Sequence, residues 1–122
     1  MSAVPASLEA MLAAWNEAEA DKVRAHLDEA LAENVRFIDP SIALEGIDAF
    51  EANVHAVHER APGAVYSRTS GVDSHHGLHR YSWAIHRDGA LILAGFDVTE
   101  TDANGRVTQV LGFFGPLPDG AS

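Results

Sequence analysis

The apolar residues of this chain change their spacing along its length, from the period of a helix to the period of a strand. Few folds accommodate that order. Leu8, Met11, Leu12 and Trp15 recur at i, i+3, i+4 and i+7, on one face of an amphipathic helix. Ser7 stands where an N-cap belongs. A second helix is expected over about 21–32, with Val23, Leu27 and Leu31 on one side and Asp21 as its cap. The period then falls to two. Val35, Phe37 and Asp39 alternate with Arg36 and Ile38, and Asp39-Pro40 ends this short strand because proline has no N–H for the next ladder bond. Gly46 leads into a third helix over about 47–60, with Ile47, Phe50, Val54, Val57 and Ala61 as its buried stripe, and Pro62-Gly63 stops it.

The second half reads as strands, at 64–72, 75–87, 90–101 and 106–114. Asp88-Gly89 is a hairpin signal, and Asp102-Ala103-Asn104-Gly105 is a second turn, so the last three strands form an antiparallel meander. Pro116 and Pro118 begin a loose tail, 116–122. Helices first and an antiparallel sheet afterwards is an α+β layout with helices over one sheet face. The 122 residues fit one domain, without repeat or linker, and their 47% apolar content supports a core that needs no staple. Both faces of Leu91-Ile92-Leu93-Ala94 are apolar, which points to a homodimer that covers the outer one.

Composition narrows the chemistry. There is no cysteine, hence no disulfide, thiolate metal site or cysteine nucleophile. A net charge of −10 repels nucleic acid. No stretch approaches the length of a membrane span, and the first residues, Met1 to Pro5, carry no leader signature; the expected location is cytoplasmic. No Gly-rich phosphate loop and no Gly-x-Ser-x-Gly elbow is present, and no cofactor is expected.

Two acids stand out. Asp39 shares strand parity with Val35 and Phe37, so it points into the core at the strand's end, although the Asp-Pro turn offers it a capping role. Asp97 lies between Phe96 and Val98, with the parity of Leu91 and Leu93; a mid-strand carboxylate among apolar neighbours loses water, and its pKa rises. Two carboxyls in one dry pocket can divide acid and base roles. His58 lies at the edge of the third helix's buried stripe, while His55 faces further out. His75, His76 and His79 do not form a metal site on a strand: the first two point to opposite faces, and His79 stands roughly 13 Å from His75. His79 shares a face with Tyr81, Trp83 and Ile85, as an acid–base group at a pocket wall or as a core histidine. Met11, Trp15, Phe37, Phe50, Val54, Tyr81, Trp83 and Phe114 are core residues that become pocket lining if the sheet curls. Tyr66 and Arg68 share one strand face and could add a phenol and a cation.

The order of elements, Asp39-Pro40, the Gly46-Ile47-Asp48-Ala49-Phe50 helix start, Asp97 in the penultimate strand, and Asn104-Gly105-Arg106-Val107 leading to Phe113-Phe114-Gly115 resemble the nuclear transport factor 2-like (NTF2-like) superfamily, and within it the SnoaL-like and ketosteroid-isomerase-like proteins. The resemblance spans about 8–115. It implies a cone: three helices on a strongly curved, mainly antiparallel sheet that encloses a pocket, commonly in a homodimer. It also implies that Asp39 matches the isomerase's general base, and that Asp97 matches both its oxyanion-holding acid and the acid–base aspartate of SnoaL-type cyclases. The isomerase's tyrosine on the first helix has no counterpart; that face offers Met11 and Trp15, and only the indole can donate a hydrogen bond. An epoxide hydrolase of this type needs an arginine two residues from the aspartate, where this chain has Gly95. The expected activity is proton transfer next to a carbonyl on a small, mostly apolar substrate by Asp97, Asp39 and His79, without cofactor or metal. The same fold also serves as a ligand-binding or interaction module without chemistry.

Overall fold

A computed structural model describes residues 4–120. Met1 to Ala3, part of the segment read as carrying no leader, and the last two residues of the expected tail lie outside them. The chain runs α1 (Ala6–Asn16), a 3-10 turn (Ala20–Lys22), α2 (Val23–Ala30), β1 (Leu31–Asp39), β2 (Ile42–Glu45), α3 (Ile47–Arg60), β3 (Val65–Arg68), β4 (Asp73–His75), β5 (Leu78–Arg87), β6 (Ala90–Thr101) and β7 (Val107–Phe114). Three helices and a curved, unclosed 7-stranded sheet make an α+β fold. The strand order is β2-β1-β7-β6-β5-β3, with β4 on β5. All pairings are antiparallel except β1 with β7. Among the described residues no helix is long and apolar enough to cross a membrane.

The helical period of the early chain closes one end of the molecule. Leu8, Met11, Val23, Leu27, Phe50 and Val54 are buried against Val35, Phe37, Val107 and Val110 of the sheet. β1 and β7 pair in parallel, and β5 to β7 form the meander. Register shifts in β1–β7, β5–β6 and β6–β7 bend the sheet around these helices.

Several local expectations give way. The N-cap of α1 is Pro5, whose carbonyl accepts from Leu8 and Glu9 N–H, so Ser7 lies inside the helix with its hydroxyl buried and unpartnered. Asp21 sits in the 3-10 turn and caps nothing; α2 starts after Lys22 without a side-chain cap. Leu31 and Ala32 begin β1 instead of ending α2. After Asp39-Pro40 the chain turns straight back as β2, with Asp39 opposite Ile42. The expected strand over 64–72 is only four residues long, and the one over 75–87 is divided at His76-Gly77, where both residues have positive φ. That is the geometry of a two-residue hairpin, which Asp88-Gly89 repeats. Histidine is a rare residue for such a turn, so only the second hairpin was visible in the sequence.

Candidate active site

Register on the helix-facing side of the sheet builds the site in three rows. In the deepest, Thr99 of β6 is paired with His79 of β5 and Val110 of β7, and Val110 with Phe37 of β1. In the middle row Asp97 faces Tyr81 on one side and Gly112 on the other, and Asp39 follows Ile38, the partner of Leu111. In the outer row Gly95 separates Trp83 from Phe114.

The two glycines leave room for the acids. The indole of Trp83 lies in the space over Gly95, where any Cβ would collide with that ring and with the Phe113 carbonyl. Over this gap Trp83 and Phe114 meet edge to face at 6.1 Å. The indole Nε1 then donates to Asp97 Oδ1 at 2.9 Å. A Cβ on Gly112 would lie 3.1 Å from Asp97 Oδ1 and 3.2 Å from Asp39 Cβ, so the missing side chain is what lets the acids flank one point.

A cavity of about 300 Å³ lies above the middle row. Of the residues expected there, Met11, Trp15, Phe37, Asp39, Tyr81, Trp83, Asp97 and Phe114 line it, as do Tyr66 and Arg68. Four others lie elsewhere. Phe50 and Val54 are in the core behind the wall, where Phe50 packs edge to face on Phe37 at 5.2 Å. The His58 Nε2–H reaches the Trp15 carbonyl at 2.7 Å and ties α3 to the end of α1. His79, one row below the acids, is bonded to Ser74 Oγ at 2.7 Å and Thr101 Oγ1 at 3.0 Å, which occupies both ring nitrogens. Burial lowers its pKa, so it is held as a neutral structural histidine.

Asp97 and Asp39 differ in surroundings. Burial pushes the Asp97 carboxyl up to about 6, against the opposing hydrogen bonds of Trp83 and Tyr81, and the nearby Asp39 carboxylate adds to the rise. The Tyr81 hydroxyl stands 3.4 Å from Asp97 Oδ2, a weak bond, and its own pKa is driven up by burial and by that carboxylate. Asp39 Oδ1 accepts from Ser41 N–H and Ser41 Oγ at 2.8 Å and from Ile42 N–H at 3.0 Å. It caps the β1–β2 turn and lines the cavity at once. Tyr66 stacks on Trp15 at 5.1 Å, and burial pushes its hydroxyl up to about 12.

Ser41, Asn53, Arg60 and Gly112 also line the cavity and were not singled out in the sequence. Asn53, Val57 and Arg60 follow the i, i+4, i+7 spacing of one helical stripe, so that signal was present. The role of Gly112 follows only from the β6–β7–β1 register.

This architecture is that of the NTF2-like proteins. A structure from Agrobacterium tumefaciens, provisionally named an isomerase of the SnoaL-like family, matches 91% of this chain and 96% of its own at 31% identity, with a TM-score of 0.85. The chain belongs to the SnoaL-like family. An NTF2-like protein of unknown function from Exiguobacterium (16% identity, 91% and 99% covered, TM-score 0.74) shares the fold. So does a protein from Jannaschia provisionally named a SnoaL-like polyketide cyclase (17% identity, 93% and 90% covered, TM-score 0.68). No family profile and no curated protein matches the chain.

Proposed function

We propose that this chain is a cofactor-independent acid–base enzyme that moves a proton at carbon next to a carbonyl group, in a small and mostly apolar substrate, and that Asp97 carries the proton. The observation that supports this most is the Asp97 carboxyl, bonded to the Trp83 indole at the wall of an apolar cavity, where burial raises its pKa to about 6. Near neutral pH such a group is ionised enough to act as a base, and its conjugate acid is strong enough to give the proton back. The Asp97 carboxylate takes the proton α to the carbonyl, and the carbonyl oxygen gains the charge. Tyr81, whose hydroxyl is weakly held, and Trp15 line the same cavity and supply donors for that oxygen. Return of the proton to another carbon gives isomerisation. Attack of the enolate on a second carbonyl, with the proton passed from Asp97 to the new alkoxide, gives cyclisation, and loss of a β-hydroxyl as water, with the same proton, gives dehydration. The names of the Agrobacterium and Jannaschia proteins fall among these reactions. Asp39, committed to its turn, acts through its charge on Asp97.

Deuterium incorporation tests this. Carbonyl compounds incubated with the protein in D2O should gain deuterium at the α carbon, and Asp97→Asn should reduce that rate by about 100-fold or more. Equal exchange by the variant would remove Asp97 from the chemistry. A second reading is a binding module without catalysis. The α1 face of the cavity, which offers Met11 and Trp15 and no tyrosine hydroxyl, favours it, and ligand binding with no exchange would select it.

We also propose a homodimer through the outer sheet face. Ile38, Leu111 and Val98 form one cross-strand row there, Phe113 faces Phe96 in the next, and Leu91, Ile92 and Phe113 are exposed. An apolar face of this extent suits a self-complementary contact with a second copy. Sedimentation velocity should give twice the chain mass, and Ile92→Glu should lower it to the monomer's. A monomeric wild type would contradict this.

A further inference from the structure

The chain is strongly acidic, and nearly every cation it has is engaged. Lys22, Arg24, Arg68 and Arg80 are in ion pairs, Arg68 with Glu9. Arg36 bonds Gln109, and Arg106 bonds the Asp28 carbonyl. Arg87 is at the end of β5, beside the Asp88-Gly89 turn and away from the cavity. That leaves Arg60. It lines the cavity, is exposed at its rim, and among the described residues has no acidic partner and no hydrogen bond. Asn53, seven residues earlier on the same stripe of α3, also lines the cavity with its amide unbonded, and Val57 lies between them.

A position at the C-terminal end of α3 explains a positive charge there, because cations favour helix C-termini. It does not explain why the side chain lines an apolar cavity, nor why Asn53, two turns earlier, lines the same cavity with an unused donor. An unpaired guanidinium over an apolar space is matched by one kind of group, an oxyanion that takes its planar fork of N–H donors. The rest of the cavity limits the charge of that group. Asp39 and Asp97 are already there, and the molecule as a whole carries −10, so a monoanion is tolerated far better than a phosphate ester.

We infer that the cavity takes a carboxylic acid: a small carbonyl compound whose apolar body fills the space above Asp97 while its carboxylate is held at the rim by Arg60, with Asn53 a further donor along the same wall. This rests on reading the cavity as a ligand site, and it makes Arg60 a specificity residue. The charge would fix which end of the substrate reaches Asp97.

The probe is 3-benzoylpropionate, an aryl ketone with a carboxylate at its far end, against its uncharged methyl ester. Trp15 and Trp83 both line the cavity, so quenching of tryptophan fluorescence reports binding there. In low-salt buffer the wild type should bind the acid about tenfold more tightly than the ester. Arg60→Gln should bring the acid to the affinity of the ester and leave the ester unchanged, while Arg87→Gln keeps the preference. Circular dichroism confirms that each variant is folded. Equal affinity for acid and ester in the wild type, or a preference that survives Arg60→Gln, would overturn the inference. Exchange at the methylene next to the ketone is read separately by NMR. An acid preference without exchange would support this inference and count against the acid–base reading.

Discussion

At the scale of the residue, Asp97 is held by the Trp83 indole and lies among apolar cavity walls, and its ionisation opposes folding. The sign follows from linkage. Its pKa rises from an ordinary 3.8 to about 6 on folding, so the folded state binds its proton more tightly than the unfolded chain does. The stability this provides is complete below about pH 4 and is lost as pH rises through 6, a cost of about 3 kcal/mol at neutral pH relative to the protonated form. Asp97→Asn, which keeps the shape and removes the charge, should therefore stabilise the protein at pH 8 by up to about 3 kcal/mol in urea titrations, and by much less at pH 4. Such a gain, at the expense of activity, is the usual relation between a functional site and stability. The Trp83 N–H favours the charged form, so Trp83→Phe should push the Asp97 pKa above 6; a fall would mean that the indole bond is not made.

At the scale of the element, the β1–β2 turn and the three central strands bring the acids together. Asp39 holds the turn through one oxygen. Asp39→Ala should cost about 1–2 kcal/mol in thermal or urea melts, whereas Asp39→Asn, which keeps that acceptor, should be near neutral. Gly112→Ala should cost about 1–3 kcal/mol and slow any α-exchange, because its methyl group presses on both acids. These strands also mark how far the sequence could be read. Parity placed Asp39, Asp97, Phe37, Tyr81 and Trp83 on one face, and α3 and the meander were visible from periodicity and turn residues. The pairing of Asp97 with Tyr81 was not visible. A two-residue hairpin at Asp88-Gly89 with unbroken register puts Asp97 opposite Arg80. The shift between Ile85 and His86 moves it one residue, to Tyr81, and leaves Leu91 exposed while Leu93 lines the cavity. Nothing in the local sequence announces that bulge. His79 had the right parity and the wrong depth, and depth depends on where Ser74 and Thr101 come to lie.

At the scale of the whole molecule, the helices pack a core against the curved sheet, and the cavity that Asp97 lines lies between α1, α3 and the sheet. The family resemblance carried the three helices on a curved sheet, which is unclosed; hydrophobic pattern alone reached only helices on one face of a sheet. The same layout puts the apolar outer face opposite the cavity, so the proposed dimer would leave the rim where Arg60 lies uncovered. One group in one place, the Asp97 carboxyl, matters most. A pH titration of the Asp97 side-chain carboxyl by carbon-detected NMR, in the intact protein without ligand, tests it directly. The expected midpoint is near pH 6. A midpoint near 4 would mean that the carboxyl is solvated like any surface aspartate and would contradict its role as the acid–base residue.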